Sequence, residues 1–409
     1  MGPRWIEIVA AFRRRRLALV CGIVAIGVGT LVPLALPYVH TWQGVPVWPP
    51  NDLFLQENDL WTSWVLALFI AHGGFAHVFQ TDSILRTAPA WLLITAPFAR
   101  LASGLQDPFV SQVGVPSAWW VVGPVYFSPI LVFFCAADRW MEGIAWPRRV
   151  AVFMGAGIAL IPSGYQGHPE DIVSVGCALY ALHACRSDRA VAAGWWMGVA
   201  LGFQLEAVLL VPICLAVLAR KHWIGFAERA VIGPVVLLLV PFARAPRLTV
   251  ERLLQLHYVV YPAWASPLTH WLPGSFSAVW DAIILLGAVA AGVWVATWKA
   301  VARDRLLWVV ALVLALRLLE PFFLNYYLTV ALAMVTVVAS FRTWWRLVVC
   351  IVDVVFLTWW LWFPVDGSWL HWIGVVALFG VGLLLAGFGS SDSRVSDPVG
   401  LQARQPQIQ

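Results

Sequence analysis

The chain reads as an all-α polytopic membrane protein, a bundle of about twelve to fourteen transmembrane helices. Three observations point there. Of the 409 residues, 61% are hydrophobic and only 11% are charged, whereas a soluble domain carries roughly 25% charged residues. Mean hydropathy is +0.81, and a water-facing fold of this size cannot hide so large an apolar excess. Many of the 26 tryptophans sit near the ends of apolar runs, where an amphipathic indole favours the headgroup level. Several are adjacent, as Trp119 with Trp120 and Trp344 with Trp345.

The first apolar run, 17–39, follows Arg13, Arg14, Arg15 and Arg16. It has the look of a signal peptide. The run is nevertheless longer than a secretory h-region, contains Pro33 and Pro37 and lacks a clear cleavage signal, so it is expected to stay as the first span. Further runs lie at 118–137, 151–163, 172–184, 191–203, 207–219, 230–242, 278–298, 306–319, 327–340, 347–363 and 372–387. Several fall short of the ~20 residues a span needs, so their true ends must take in flanking polar residues. Two segments stay ambiguous: 62–75, which could lie flat at the interface, and 88–105, with its internal Pro97 and Arg100. The polar tail, 390–409, is expected to be disordered, and no internal repeat is visible.

Arginine clusters fix the expected sidedness. They fall at 13–16, 148–149, 186–189, 220–221, 299–305 and 342–346, and threading the runs in order places every one on the cytoplasmic side. Both termini are then cytoplasmic, in a multi-pass protein of the inner (plasma) membrane, and the crossings number twelve or fourteen according to the ambiguous pair. The net charge of +5 fits this topology. It offers no basic stripe for nucleic acid, and the bilayer is the expected partner. Six cysteines without a CxxC pair indicate neither a disulfide framework nor a thiolate metal site.

The outer side receives the polar residues that could do chemistry. One set is the turn Gly164-Tyr-Gln-Gly-His-Pro-Glu-Asp171, where Pro169 can open a helix with Glu170 and Asp171 in its first turn. It reads either as a well-capped loop or as a headgroup site formed by Gln166, His168 and Glu170. A second set is the acidic first outer loop, with Asp52, Glu57 and Asp59 ahead of an apolar segment. Its carboxylates are ordinary solvated acids or contain a general base. A third set is basic: Arg244, Arg247 and Arg252, followed by His257. Arginine on the outer face runs against the positive-inside bias, and a lipid phosphate would explain it. Arg317 with Glu320, then Tyr326 and Tyr327, bring a further charged pair outward, and a plain salt bridge between Arg317 and Glu320 is the alternative. Gln204 and Glu206 mark the tip between two short helices, as hairpin caps or as ligands for a sugar hydroxyl.

Four features together resemble the GT-C superfamily of membrane glycosyltransferases: the arginine-flanked first helix, the acidic first outer loop followed by residues 61–72, the Gly167-His-Pro-Glu-Asp171 turn and the helical hairpin 193–213. The nearest likeness is to the bacterial polyprenol-phosphate-mannose-dependent mannosyltransferases. The resemblance implies a GT-C-like bundle in which residues 1–389 form one transmembrane catalytic domain. It implies transfer of a sugar, mannose favoured, from a polyprenyl-phosphate donor to a lipid or glycolipid acceptor, with inversion. It assigns the base to Asp59, with Asp52 and Glu57 as rivals, and the donor phosphate to the outer basic residues. A divalent cation is possible on the same grounds. Two other classes compete: a lipid or lipid-linked-sugar carrier, and a non-catalytic membrane assembly protein. A carrier is expected to show mid-membrane polar residues and repeat symmetry; Asp353 is the exception in otherwise featureless mid-spans, and threading places it nearer the cytoplasmic end.

Overall fold

The structure, a computed structural model, describes residues 15–35, 41–42, 45–46, 59–80, 89–105, 117–253, 277–298, 302–319, 328–361 and 369–388. It is all-α apart from two two-residue strands, β1 (Thr41–Trp42) and β2 (Val45–Pro46), paired antiparallel with Thr41 opposite Pro46. The tail 390–409 and the stretch 47–58, with its acids Asp52 and Glu57, lie outside the described residues.

Each apolar run is helical over its described residues, and one short polar helix, Pro246–Leu253, forms outside the runs. In order these are α1 (Arg16–Ala35), α2 (Asp59–Ala71), α3 (Pro89–Ala102), α4 (Trp119–Phe127), α5 (Pro129–Trp140), α6 (Trp146–Tyr165), α7 (Pro169–Arg186), α8 (Ala190–Phe203), α9 (Val211–Val217), α10 (Trp223–Arg244), α11 (Pro246–Leu253), α12 (Ser277–Ala296), α13 (Arg303–Ala315), α14 (Thr329–Ala339), α15 (Trp344–Leu361) and α16 (Trp369–Gly387). Four stretches are long and apolar enough to cross a membrane unaided: Trp119–Trp140, Arg220–Arg244, Val279–Ala296 and Trp344–Leu361. The first joins α4 to α5 through Ser128, because Pro129 at the start of α5 lacks only an N–H that a first turn leaves unbonded. Six shorter apolar helices accompany them. The chain is thus a multi-pass, membrane-spanning helical bundle.

Burial grades the helices. All of α14 is buried and none of it is charged, which makes it the axis of the bundle. Around it pack α6, α13, α15 and α16. The two ambiguous segments form α2 and α3, which pack on each other; Leu60, Trp64 and Ala67 of α2 belong to the main core. Only 11% of α10's span is buried, so its apolar faces suit lipid. It nonetheless docks tightly on α8 through glycine. A Cβ on Gly194 would stand 2.5 Å from the Phe226 carbonyl oxygen, and one on Gly198 would stand 2.8 Å from that of Arg229. Gly194, Gly198 and Gly202 recur every fourth residue, the spacing that lets two backbones touch.

The predicted arginine clusters meet at one end of the bundle. Arg15 and Arg149 hold the fully buried Asp138 at 2.9 and 3.0 Å. Arg139 binds Glu142 at 3.0 Å and donates to His183 at the same distance. Arg303 donates to the carbonyls of Trp140 and Glu142, and Arg342 pairs with Asp304 at 3.0 Å. Outside the spans, Glu142 is partly buried, which alone would raise its carboxyl. The hydrogen bond from Arg15 and the charges of Arg139, Arg15 and His183 outweigh that and hold it below its ordinary value.

Candidate functional site

α6, α8 and α13 all start at the arginine end and run to the other, and α6 alone, with 20 residues, spans about 30 Å at 1.5 Å per residue. At that far end α6 closes in a Schellman turn. His168 N–H donates to the Ser163 carbonyl at 2.9 Å and Gly167 N–H to that of Gly164 at 3.3 Å. Gly167 sits at φ +85°, the left-handed conformation this cap demands. The Ser163 hydroxyl also donates to the His168 carbonyl at 2.9 Å. Pro169 then opens α7, with Glu170 and Asp171 in its first turn, where free N–H groups favour carboxylates. This is the arrangement the sequence predicts.

Two polar sets grow from that turn. In the first, His168 Nδ1 lies 3.0 Å from Glu170 Oε1, with Glu170 fully buried. In the second, Asp171 reaches across to two other elements. Its Oδ1 accepts from Gln204 Nε2 at 3.0 Å and its Oδ2 accepts from Arg317 at 3.3 Å. Gln204 stands in extended conformation between α8 and the 3₁₀ turn Leu205–Leu210, which frees its side chain to reach back to α7. Arg317 sits in the 3₁₀ turn Leu316–Leu319 that ends α13, and its second nitrogen lies 3.8 Å from Glu206. Asp171, Gln204, Glu206 and Arg317, with Ser174, line a cavity of about 30 Å³, room for about two waters. Gln204 Oε1 is buried without a hydrogen-bond partner among the described residues.

The structure therefore brings together His168, Glu170, Asp171, Gln204, Glu206 and Arg317. Gln166, on the turn itself, is half-buried, and its Oε1 has no hydrogen-bond partner among the described residues. Arg317 turns to Asp171 and Glu206, whereas Glu320, the partner its sequence offers, lies outside the described residues. Arg244 and Arg247 are exposed and do not line the cavity; Arg247 is paired with Glu251 at 2.6 Å. Arg252 falls in α11, its side chain beyond the described set, and Asp52, Glu57, His257, Tyr326 and Tyr327 lie outside it altogether. Asp59 is described by its backbone, at the start of α2. That end of α2 is tied down where Ser63 Oγ meets Tyr126 Oη at 2.6 Å. Tyr126 in turn packs its carbonyl against Gly164, at the α6 turn.

Sequence reasoning missed Ser174 and the Ser63–Tyr126 tie. Ser174 lies one turn after Asp171 on the same face of α7, which is a legible signal; its hydroxyl donates to the Ala200 carbonyl at 3.0 Å. A divalent cation does not fit the described residues. No three His, Cys, Asp or Glu among them converge as ligands, and the Arg317 guanidinium already occupies the carboxylates of the cavity. No protein-family model matches the chain and no curated protein is similar to it in sequence.

Proposed function

We propose that this chain is a glycosyltransferase of the GT-C kind with twelve or fourteen crossings, termini in the cytoplasm and its site at the outer face. It moves a sugar, mannose favoured, from a polyprenyl phosphate to a lipid or glycolipid acceptor. One observation carries the reading: ionisable and amide side chains converge, buried, at the end of the bundle opposite the arginine network. Such groups are costly in apolar surroundings and persist where they hold a polar ligand or a reacting group. Support also comes from α2, which begins at Asp59 and is tied through Ser63 to Tyr126, whose carbonyl lies near Gly164.

In this reading Asp59, or its rivals Asp52 and Glu57, takes the proton of the acceptor hydroxyl. The hydroxyl oxygen bonds to the anomeric carbon as the bond to the donor phosphate breaks, and the polyprenyl phosphate leaves with the electron pair. The sugar is inverted by this single displacement. The donor phosphate binds Arg317, which exchanges the carboxylates of Asp171 and Glu206 for it, a ligand that a guanidinium fork matches well. The test supplies purified protein with radiolabelled polyprenol-phosphate mannose and candidate lipid acceptors. Asp59→Asn is expected to slow transfer by roughly 10²-fold or more. Full transfer by D59N, D52N and E57Q overturns the choice of base, and no transfer from any polyprenyl-phosphate sugar overturns the reading.

A further inference from the structure

The arginine end carries a second basic group, separate from the buried network around Asp138. The α7–α8 loop and the turn before α10 are joined by a contact between Asp188 Oδ2 and His222 Nε2, 3.3 Å apart. Beside it stand Arg189, Arg220 and Lys221, all exposed. Arg229, seven residues beyond His222 on α10, lies against the glycine seam with its Cβ 2.8 Å from where one on Gly194 would be. Its side chain remains 34% exposed. The acids facing this ledge are Asp188, engaged by His222, and Glu228, engaged by Arg229, so positive charge remains in excess. Arg186 turns away, over the Trp140 ring.

The ledge faces lipid. α10 is the least buried of the four long spans, and Arg220 and Lys221 come just before its apolar residues begin at Trp223. Arg220 and Lys221 therefore stand at the headgroup boundary, which the long side chain of Arg229 reaches by snorkelling. The indoles of Trp195, Trp196 and Trp223 are exposed there as well, in keeping with an interfacial belt. Basic pockets between helices on a cytoplasmic face suit the phosphates of acidic lipids.

We propose that Arg189, Arg220, Lys221 and Arg229, on the exposed ledge where α8 and α10 meet, form a binding site for an anionic phospholipid headgroup. The site is distinct from the carboxylate-lined cavity at the other end. The test is native mass spectrometry of the full chain in detergent, titrated with phosphatidylglycerol or with phosphatidylcholine of the same acyl chains. Phosphatidylglycerol is expected to bind the wild-type protein more tightly. R189Q/R220Q/K221Q is expected to lose roughly tenfold or more of that affinity, given the contribution of each surface cation. The charge-keeping R189K/R220K is expected to retain it, which separates binding from misfolding. R16Q/R305Q removes exposed cations carried on α1 and α13 at the same end and is expected to bind as wild type. Equal affinity for the two lipids, unchanged binding by the triple variant, or an equal loss in R16Q/R305Q would each overturn the site.

Discussion

Asp171 divides its carboxylate between an amide and a guanidinium, so losing each partner should read differently. Arg317→Ala leaves a buried carboxylate without its cation and is expected to cost about 3–5 kcal/mol. Gln204→Ala removes a neutral donor and is expected to cost about 1–3 kcal/mol. Unfolding in detergent compares the two, and equal losses would refute the charge-based account. Gly167→Ala imposes a Cβ on a left-handed residue and should cost about 1–2 kcal/mol, with the same readout. The turn around Gly167 was legible because it is local: Pro169 and the acids behind it obey first-turn rules. Arg317 was not. Its sequence suggests Glu320, but Asp171 lies 146 positions away, and only the packing of α13 against the rest of the bundle brings them together. Arg247 was legible in principle, since Glu251 stands four residues on, the spacing at which helical side chains meet.

At the scale of elements, the joint between α8 and α10 is the most exacting. Gly198→Leu would drive a side chain into the Arg229 carbonyl, which cannot retreat without breaking the helix. It is expected to detach α10 and lower the melting temperature by several degrees, while a substitution at Gly225, which meets nothing within 4 Å, is neutral. A thermal scan of the two variants decides it. The helices other than α11 were readable from apolar runs alone, because a bilayer rewards an uninterrupted stretch regardless of neighbours. What the runs conceal is depth of burial. α14 and α10 both read as apolar runs in sequence, yet one is the axis and the other the rim, and only the small residues facing α8 hint at where α10 docks.

The whole molecule is polar at both ends, in different ways. One end ties arginines to acids and carbonyls; the other encloses carboxylates, amides and a single shared guanidinium. The carboxyl of Glu142 belongs to the first. Because the folded protein holds it below its ordinary value, its stabilisation is complete above the unfolded value of roughly 4.3. That stabilisation fades as pH falls through the lower folded value. Acid titration of stability should therefore lose part of its slope in Glu142→Gln, and an unchanged curve would contradict the pairing. Sidedness is checked in a cysteine-free background: Ser187→Cys and Gln166→Cys should react with an impermeant thiol reagent from opposite faces of a sealed vesicle, and labelling from one face removes the proposed orientation. The long reach from Asp171 to Arg317 also has a consequence for synthesis. At about 5–20 residues per second, a ribosome needs roughly 7–30 s to pass from one to the other. Through that interval the new α7 holds an acid whose counter-charge does not yet exist, and Gln204 is its earliest companion. A chain arrested before residue 317 should leave Asp171 open to carboxyl-modifying carbodiimide, and release of the finished chain should close it.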